Sequence, residues 1–267
     1  MTTLSSGSVI VFSVAAGLAA MLALAAATWL VSLVKHDVSI VDSVWSLLIL
    51  LGAVSYAFVL PETGVRTSWV MALAALWAIR LAAYITWRNW GEAEDRRYQD
   101  IRARNQPNYE LKSLYLVFGL QAVLAWIVSL SLLAALSSAQ PWGWLDSAGV
   151  AVVLFGIAFE AVGDWQLARF KSREENRGGV MNRGLWRYTR HPNYFGEFCV
   201  WWGFFLIALS AGGWWALLSL LSPLLMSVLL LKVSGVALLE KDIAGRRPAY
   251  RDYVARTNAF FPGSPKS

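Results

Sequence analysis

The sequence is poor in charge. Of its 267 residues, 15% are Asp, Glu, Lys or Arg and 57% are hydrophobic, whereas a soluble domain carries about 25% charged residues. This balance excludes an ordinary water-soluble globule, a disordered chain and a disulfide scaffold. The 15 Trp residues and several uncharged apolar runs of roughly 20 residues instead indicate helices that span a bilayer.

Cysteine and histidine are scarce as well. The single cysteine, Cys199, lies in an apolar stretch, which excludes a disulfide or a cysteine-based zinc site within one chain. The two histidines, His36 and His191, form no spaced ligand cluster with carboxylates, so we expect no metal. The net charge of +6 needs no nucleic-acid partner, because membrane proteins collect Lys and Arg on their cytoplasmic face.

Apolar runs define the organisation of the chain. Each is long enough, or nearly so, to cross the hydrocarbon core as a helix. They predict an all-α integral membrane bundle of about seven transmembrane helices in one domain covering residues 1–267. The runs lie at about 8–34, 40–60, 68–88, 113–138, 144–168, 194–211 and 214–236.

The Lys and Arg residues favour one orientation. If the N-terminus is outside, the inward segments hold 21 of the 23 Lys and Arg residues, and only Arg66 and Arg80 fall elsewhere. The outer turns carry tryptophans, as expected of an interfacial belt. We therefore predict an N-terminus outside and a C-terminus in the cytoplasm, with the functional site among the long cytoplasmic loops.

Few ionisable residues interrupt the apolar runs. Each costs roughly 2.5 to 3.5 kcal/mol at the centre of a bilayer, so each is a candidate for a functional role. Glu160 and Asp164 are four residues apart and share a helix face. The structural alternative is that Arg80 pairs with Asp42 or Glu160 and fixes helix packing. The candidates are Asp42, Arg80, Glu160, Asp164 and Glu197.

The densest polar group precedes the sixth run. Pro192 predicts the first turn of a helix, whose N-terminus favours an anion. Asn193 and Glu197 follow on one helix face and are able to hydrogen-bond an amide or a ribose. Contact with lipid headgroups is the alternative for the cations. The cations of the loop are Arg183, Arg187, Arg190 and His191, and those upstream of it are Arg169, Lys171, Arg173 and Arg177.

The C-terminal residues predict an interfacial amphipathic helix over 239–261. Arg247, Tyr250 and Tyr253 are placed to close over the loop at 183–197 and to supply charge and aromatic stacking to a bound nucleotide. Anchoring to lipid headgroups explains the same residues equally well.

The segment from Gly184 to Glu197, with residues 233–241 and 250–253, resembles the uncharacterised bacterial membrane family grouped with the steroid 5-alpha-reductases. Residues 39–42, 76–81 and 95–98 fit the same family, so the resemblance covers nearly the whole chain. Its wider relatives are the sterol C14 reductases, which use NADPH, and the isoprenylcysteine and phospholipid methyltransferases, which use S-adenosylmethionine and share the Arg-His-Pro-x-Tyr element.

The resemblance implies an NADPH-dependent reductase of a C=C bond, conjugated to a carbonyl, in a steroid-like or other hydrophobic lipid of the bacterial inner membrane. The alternatives are an S-adenosylmethionine-dependent lipid or prenylcysteine methyltransferase and a non-catalytic membrane or scaffold protein. Those methyltransferases have a Glu-Glu pair near the C-terminus where this chain has Glu240 and Lys241, which favours the reductase. No G-x-G-x-x-G motif follows a strand, so the helices themselves would hold a nicotinamide cofactor.

The reductase pattern also implies particular residues. The steroid enzymes carry a Gln-Glu pair on the second span, where Asp42 is the only acid here. A proton donor is needed at the carbonyl oxygen, and we expect Asp42 or Tyr84 in that role, with Glu197 as a further catalytic residue. The implied cofactor-binding residues are Arg80, Asp164, Arg169, Arg187, Tyr188, Arg190, His191, Asn193, Glu197, Arg247 and Tyr250.

Overall fold

A computed structural model describes residues 6–61, 64–233 and 249–266. Every regular element in these ranges is helical, and none of the described residues forms a strand, which confirms the all-α prediction. The main helices are α1 (Ser6–Lys35), α2 (Ile40–Val59), α3 (Val65–Asn89), α4 (Arg96–Arg104), α5 (Tyr109–Leu136), α6 (Trp144–Lys171), α7 (Pro192–Ser210), α8 (Gly213–Val233) and α9 (Ala249–Arg256).

Six of these helices are long and apolar enough to cross a membrane, namely α1, α2, α3, α5, α6 and α8. The prediction of a multi-pass membrane protein is therefore confirmed. The predicted sixth span is also helical, as α7, and is 19 residues long. It is not among the six because polar residues in its first turns, Asn193 and Glu197, lower its mean hydropathy.

Internal packing divides the chain into two compact units. The first consists of Met1–Gly143 with Ala208–Leu221, and the second of Trp144–Ile207 with Ser222–Ser267. The expectation of a single domain over residues 1–267 stays a prediction.

Small and hydroxyl-bearing residues join the helices of the first unit. The Tyr56 hydroxyl of α2 lies 2.7 Å from the Ser129 hydroxyl of α5, and the Ser46 hydroxyl of α2 donates to the Ala78 carbonyl of α3 at 2.8 Å. Gly17 of α1 leaves room for the Tyr56 ring. Such close approaches and hydrogen bonds hold helices together in lipid, where hydrophobic burial between them contributes little.

Arg66, one of the two cations outside the predicted cytoplasmic segments, is buried at the start of α3. Its guanidinium donates to the carbonyls of Gln140 at 2.9 Å and Pro141 at 3.2 Å. These carbonyls follow the end of α5, so Arg66 satisfies backbone acceptors that no helix hydrogen bond reaches. Its charge thus has a structural use.

In the second unit, α6 and α7 pack through glycines. A Cβ atom at Gly196 would lie 2.6 Å from the backbone nitrogen of Glu160, and one at Gly203 would lie 2.8 Å from that of Val153. Gly163 lies against Asn193 at the other end, so the two helices run antiparallel. We refer to this contact as the glycine interface; its members, spaced by seven residues on each helix, are Gly149, Gly156, Gly163, Gly196 and Gly203.

Candidate functional site

Four polar side chains share one side of the α6–α7 pair. Successive residues of a helix are rotated by about 100° around its axis. Glu160 and Asp164 therefore lie roughly 40° to 100° around α6 from its interface glycines. Asn193 and Glu197 lie at similar angles around α7 from Gly196. Because the helices are antiparallel, the same sense of rotation brings both pairs to the same side. We call these four residues the polar face.

The polar face is largely enclosed. Glu160 and Asp164 are each 3% exposed and Glu197 is 5% exposed, although they lie in helices that are otherwise apolar. The Trp201 indole donates to Glu197 at 2.8 Å and orients that carboxylate. Burying several ionisable groups in one helix pair has a high free-energy cost, and the packing of the two helices does not require such groups. Their concentration here is therefore the strongest indication of a functional site in the second unit.

The cationic loop before α7 is fixed onto α6. The Gln166 side chain accepts a hydrogen bond from the Leu185 backbone at 2.9 Å, and the Trp186 indole donates to the Gly163 carbonyl at 3.0 Å. Gly184 adopts a φ of +58°, a conformation that favours glycine. A Cβ atom at this position would lie 2.5 Å from the Gln166 side-chain nitrogen. The loop therefore has a fixed conformation beside the start of the polar face.

The C-terminal segment, residues 249–266, covers the same loop. The Tyr253 hydroxyl donates to the Trp186 carbonyl, the Thr189 hydroxyl donates to the Phe260 carbonyl at 2.7 Å, and the Gly263 backbone donates to the Tyr188 carbonyl at 3.0 Å. Tyr253 thus contacts the loop, as expected from the sequence, through a hydrogen bond to the loop's backbone. Arg247 and the first half of the predicted 239–261 helix lie outside the described residues.

Arg190 has a structural role in this arrangement. Its guanidinium donates to the carbonyls of Thr257 at 2.6 Å and Val254 at 3.2 Å, at the end of α9, and the side chain is buried. These contacts satisfy helix-terminal acceptors. The structure therefore uses this guanidinium to hold α9, a different use from the phosphate contact expected from the sequence.

Two other predicted cations of the second unit, Arg169 and Arg187, are accessible, and so is Tyr188. Arg187 is exposed, and Arg169 is exposed with its guanidinium 5.3 Å from the Trp165 ring. Tyr188 is 44% exposed. These three side chains remain available to contact an anionic group on the aqueous side of the loop.

Two buried rings complete the predicted set in the second unit. His191 is stacked on Tyr194, with ring centroids 5.5 Å apart and planes inclined by 4°. Tyr250 is buried and packs edge-on against Tyr253 at 5.6 Å. Both rings are therefore packed against aromatic neighbours and are not exposed at the surface of the loop.

Asp42, in the first unit, forms an ion pair. Its carboxylate accepts from the Arg97 guanidinium at 2.7 Å and from the Tyr98 hydroxyl at 2.6 Å. Burial, and then the charge of Asp42 and the hydrogen bond to it, raise the pKa of Tyr98, so this phenol stays protonated. Asp42 thus forms an ion pair with Arg97, whereas the structural alternative named Arg80 as its partner.

The surroundings of Arg97 keep this cation in its charged form. Burial opposes ionisation of Arg97, but its hydrogen bond to Asp95 and the charges of Asp42 and Asp95 raise its pKa. Asp95 also accepts the Arg97 backbone N–H at 2.9 Å and caps α4. The cluster docks the start of α4 against the start of α2.

Arg80 and Tyr84, the other predicted residues of the first unit, lie one turn apart on α3. Arg80 is half-buried. The Tyr84 ring packs against Trp87, with centroids 6.1 Å apart, and lies 5.9 Å from the Arg88 guanidinium. The predicted residues therefore divide into a group on α2 and α3 and a larger group in the second unit.

Sequence reasoning did not single out the residues that fix the site in place. The glycine interface had a readable signal, because its members recur every seven residues on both helices. Gln166, Trp186 and Thr189 had none, since their partners are mostly backbone atoms and any polar side chain near a loop is a comparable candidate.

Comparison with known proteins adds the family. The chain matches the family described as "Protein of unknown function (DUF1295)" over residues 28–257 and therefore belongs to it. This family is in the steroid 5-alpha-reductase-like group, so the resemblance is confirmed at that level. No curated protein matches the chain, and no solved structure matches it either.

Proposed function

We propose that this protein is a membrane-embedded NADPH-dependent reductase of a C=C bond, conjugated to a carbonyl, in a steroid-like or other lipid. The observation that carries the proposal is the polar face: buried carboxylates and an amide on one side of the α6–α7 pair, next to a loop with exposed cations. A ligand with an anionic end and a hydrogen-bonding end complements that combination.

The residues present suit a dinucleotide. Arg169 and Arg187 would bind its phosphates from the aqueous side, where a guanidinium matches phosphate oxygens bidentately. Asp164 and Glu197 would accept from ribose hydroxyls or a carboxamide N–H, and Asn193 would donate or accept. Bound NADPH would supply the hydride for reduction of the double bond.

The chain must also provide a proton. Reduction of a conjugated C=C bond needs a donor at the carbonyl oxygen while hydride adds to the β carbon. Of the two residues expected in this role, Asp42 is engaged by Arg97 and Tyr98 and suits an acceptor. We therefore favour the Tyr84 phenol as the donor.

The proposal includes a topology. Seven spans, counting α7 with the six apolar helices, would place the N-terminus outside and the C-terminus in the cytoplasm of a bacterial inner membrane. The loop before α7 and the C-terminal segment would then face the compartment that supplies NADPH. The distribution of Lys and Arg along the chain supports this orientation.

Thermal unfolding of the detergent-solubilised protein tests the cofactor. NADPH at about a hundredfold excess over its Kd stabilises by about 2.7 kcal/mol, which corresponds to a rise in Tm of about 5 to 10 °C for a chain of this size. We expect a smaller rise with NADH, and none with S-adenosylhomocysteine. The paired change Asn193→Ala and Glu197→Ala should remove the NADPH shift.

Two controls keep the result interpretable. Glu174→Ala with Asn182→Ala replaces the same residue types at exposed positions and should retain the full shift. Glu197→Gln keeps the shape of the side chain and an acceptor for Trp201, so it should fold normally and still reduce the shift. Stabilisation by S-adenosylhomocysteine in place of NADPH would favour the methyltransferase and refute the reductase.

A further inference from the structure

The first unit contains a cavity where α1 ends and α2 begins. Its volume is about 690 Å³, within the range of about 300 to 1,000 Å³ typical of ligand sites. The last turn of α3 and the loop at 90–94 complete its wall. Because α1, α2 and α3 are all candidate membrane spans, their ends place this cavity where the headgroups of a bilayer meet its hydrocarbon.

An apolar groove continues from the cavity between α2 and α3. Its volume is about 550 Å³, and it shares Ser43, Val44, Thr86 and Trp90 with the cavity. Several lining side chains are exposed on the surface of α3, so the groove opens toward hydrocarbon in a bilayer. The rest of its lining is apolar: Leu47, Ile79, Ala82, Ala83 and Trp87.

The cavity is lined by charges of both signs. Lys35 and His36 follow one another at the end of α1, and Asp37 and Glu92 lie on the same wall. Trp90, which is 79% exposed, presents an aromatic ring able to contact an ammonium group. Together these residues complement a headgroup that carries an anion and a cation close together.

A further carboxylate, Glu94, fixes the wall of the cavity. It accepts from the Val38 backbone at 2.9 Å and from the Arg102 guanidinium at 2.9 Å. Burial opposes its ionisation, but the hydrogen bonds from Arg102 and Val38 and the charge of Arg102 lower the pKa of Glu94. The loop at 90–94 is therefore tied to the start of α2, and a preformed wall reduces the entropy that a ligand must lose on binding.

We propose that the cavity and groove bind an amino-phospholipid of the surrounding membrane. Asp37, Glu92 and Trp90 contact its ammonium group, Lys35 and His36 contact its phosphate, and an acyl chain occupies the groove. The site lies wholly within the first unit and uses none of the residues assigned to the cofactor. The inference goes beyond the proposed reductase and stands or falls separately from it.

Two lipids with the same chains and phosphate test the proposal. The delipidated full-length protein in detergent is melted with dioleoyl phosphatidylethanolamine or with dioleoyl phosphatidylglycerol, which lacks the ammonium group. We expect the ethanolamine lipid to bind about tenfold more tightly, a difference in Tm of about 3 to 6 °C. Equal shifts, or a larger shift with the glycerol lipid, would overturn the proposal.

Charge variants locate the effect. Asp37→Asn with Glu92→Gln should abolish the difference between the two lipids, and the amide introduced by Asp37→Asn still offers an oxygen acceptor to Ser39, which Asp37 binds through Oδ1. The matched control Asp100→Asn with Glu174→Gln, at exposed positions outside the cavity, should retain it. Retention in the first variant, or loss in the control, would refute the assignment.

A readout without charge variants guards against misfolding. Native mass spectrometry of the unaltered protein, released from micelles that contain both lipids in equal amounts, should show bound ethanolamine lipid in excess. Ala83→Trp, which fills the groove, should reduce the retention of both lipids. Equal retention of the two lipids by the unaltered protein would contradict the proposal whatever the variants do.

Discussion

Two arginines that the sequence places in one cationic loop have different surroundings. Arg190 is 8% exposed and its guanidinium donates to backbone carbonyls at the end of α9, whereas Arg187 is exposed to solvent. A charged donor that satisfies buried carbonyls contributes to stability, and an exposed guanidinium contributes little unless a ligand is present. Substitution of Arg190 should therefore lower stability, whereas substitution of Arg187 should affect ligand binding.

We expect Arg190→Ala to lower the free energy of unfolding by about 2 to 3 kcal/mol, because two hydrogen bonds to a charged group are lost and their acceptors stay buried. Arg187→Ala should change it by less than about 0.5 kcal/mol and weaken NADPH binding instead. Denaturation and NADPH titration of both variants measure the two effects. If Arg190→Ala is stable but no longer binds NADPH, the result would contradict the structural role of Arg190 and support the phosphate contact expected from the sequence.

At the scale of helices, the second unit depends on close backbone contact between α6 and α7. The glycine interface brings the backbone of Gly196 against that of Glu160, and this contact fixes the separation of the two helices at the polar face. Van der Waals packing between small residues is the main attraction available to helices in lipid. Stability and ligand binding should therefore decline together when the interface is widened.

Gly196→Ala should destabilise the protein by about 1 to 3 kcal/mol, because the new Cβ would overlap backbone atoms that cannot rotate away. Gly7→Ala is the control, since Gly7 also lies in a helix and no atom lies within 4 Å of a Cβ at that position, and this change should not lower the Tm. Chemical denaturation of both variants provides the comparison. An unaffected Gly196→Ala protein would show that α6 and α7 are not held as closely as described.

The membrane-length helices are predictable from the sequence. Six of the apolar runs correspond to membrane-length helices. They could be predicted because length and hydropathy are local properties of a segment. The fixed conformation of the loop before α7 was not foreseen, since it depends on contacts from Trp186 to Gly163 and from Thr189 to Phe260. Such contacts involve backbone carbonyls, which every residue has, so no residue type marks them in advance.

The two units of the molecule differ in their chemistry. The second has buried carboxylates beside exposed cations, which supports a soluble anionic cofactor. The first has a cavity at the ends of its spans and an apolar groove, which supports a lipid. Asp42 illustrates why this division was not apparent from the sequence, because its partners, Arg97 and Tyr98, are 55 and 56 residues away along the chain.

Native mass spectrometry identifies the cofactor that the protein binds. The full-length protein is released from detergent micelles after incubation with equal concentrations of NADPH, NADH and S-adenosylmethionine, and the mass of the bound species is read. We predict one NADPH per chain in the parent protein, less in Glu197→Gln, and none in the paired variant Asn193→Ala with Glu197→Ala. Selective retention of S-adenosylmethionine, or equal retention of NADPH by the parent protein and by Asn193→Ala with Glu197→Ala, would contradict the assignment of NADPH as the cofactor.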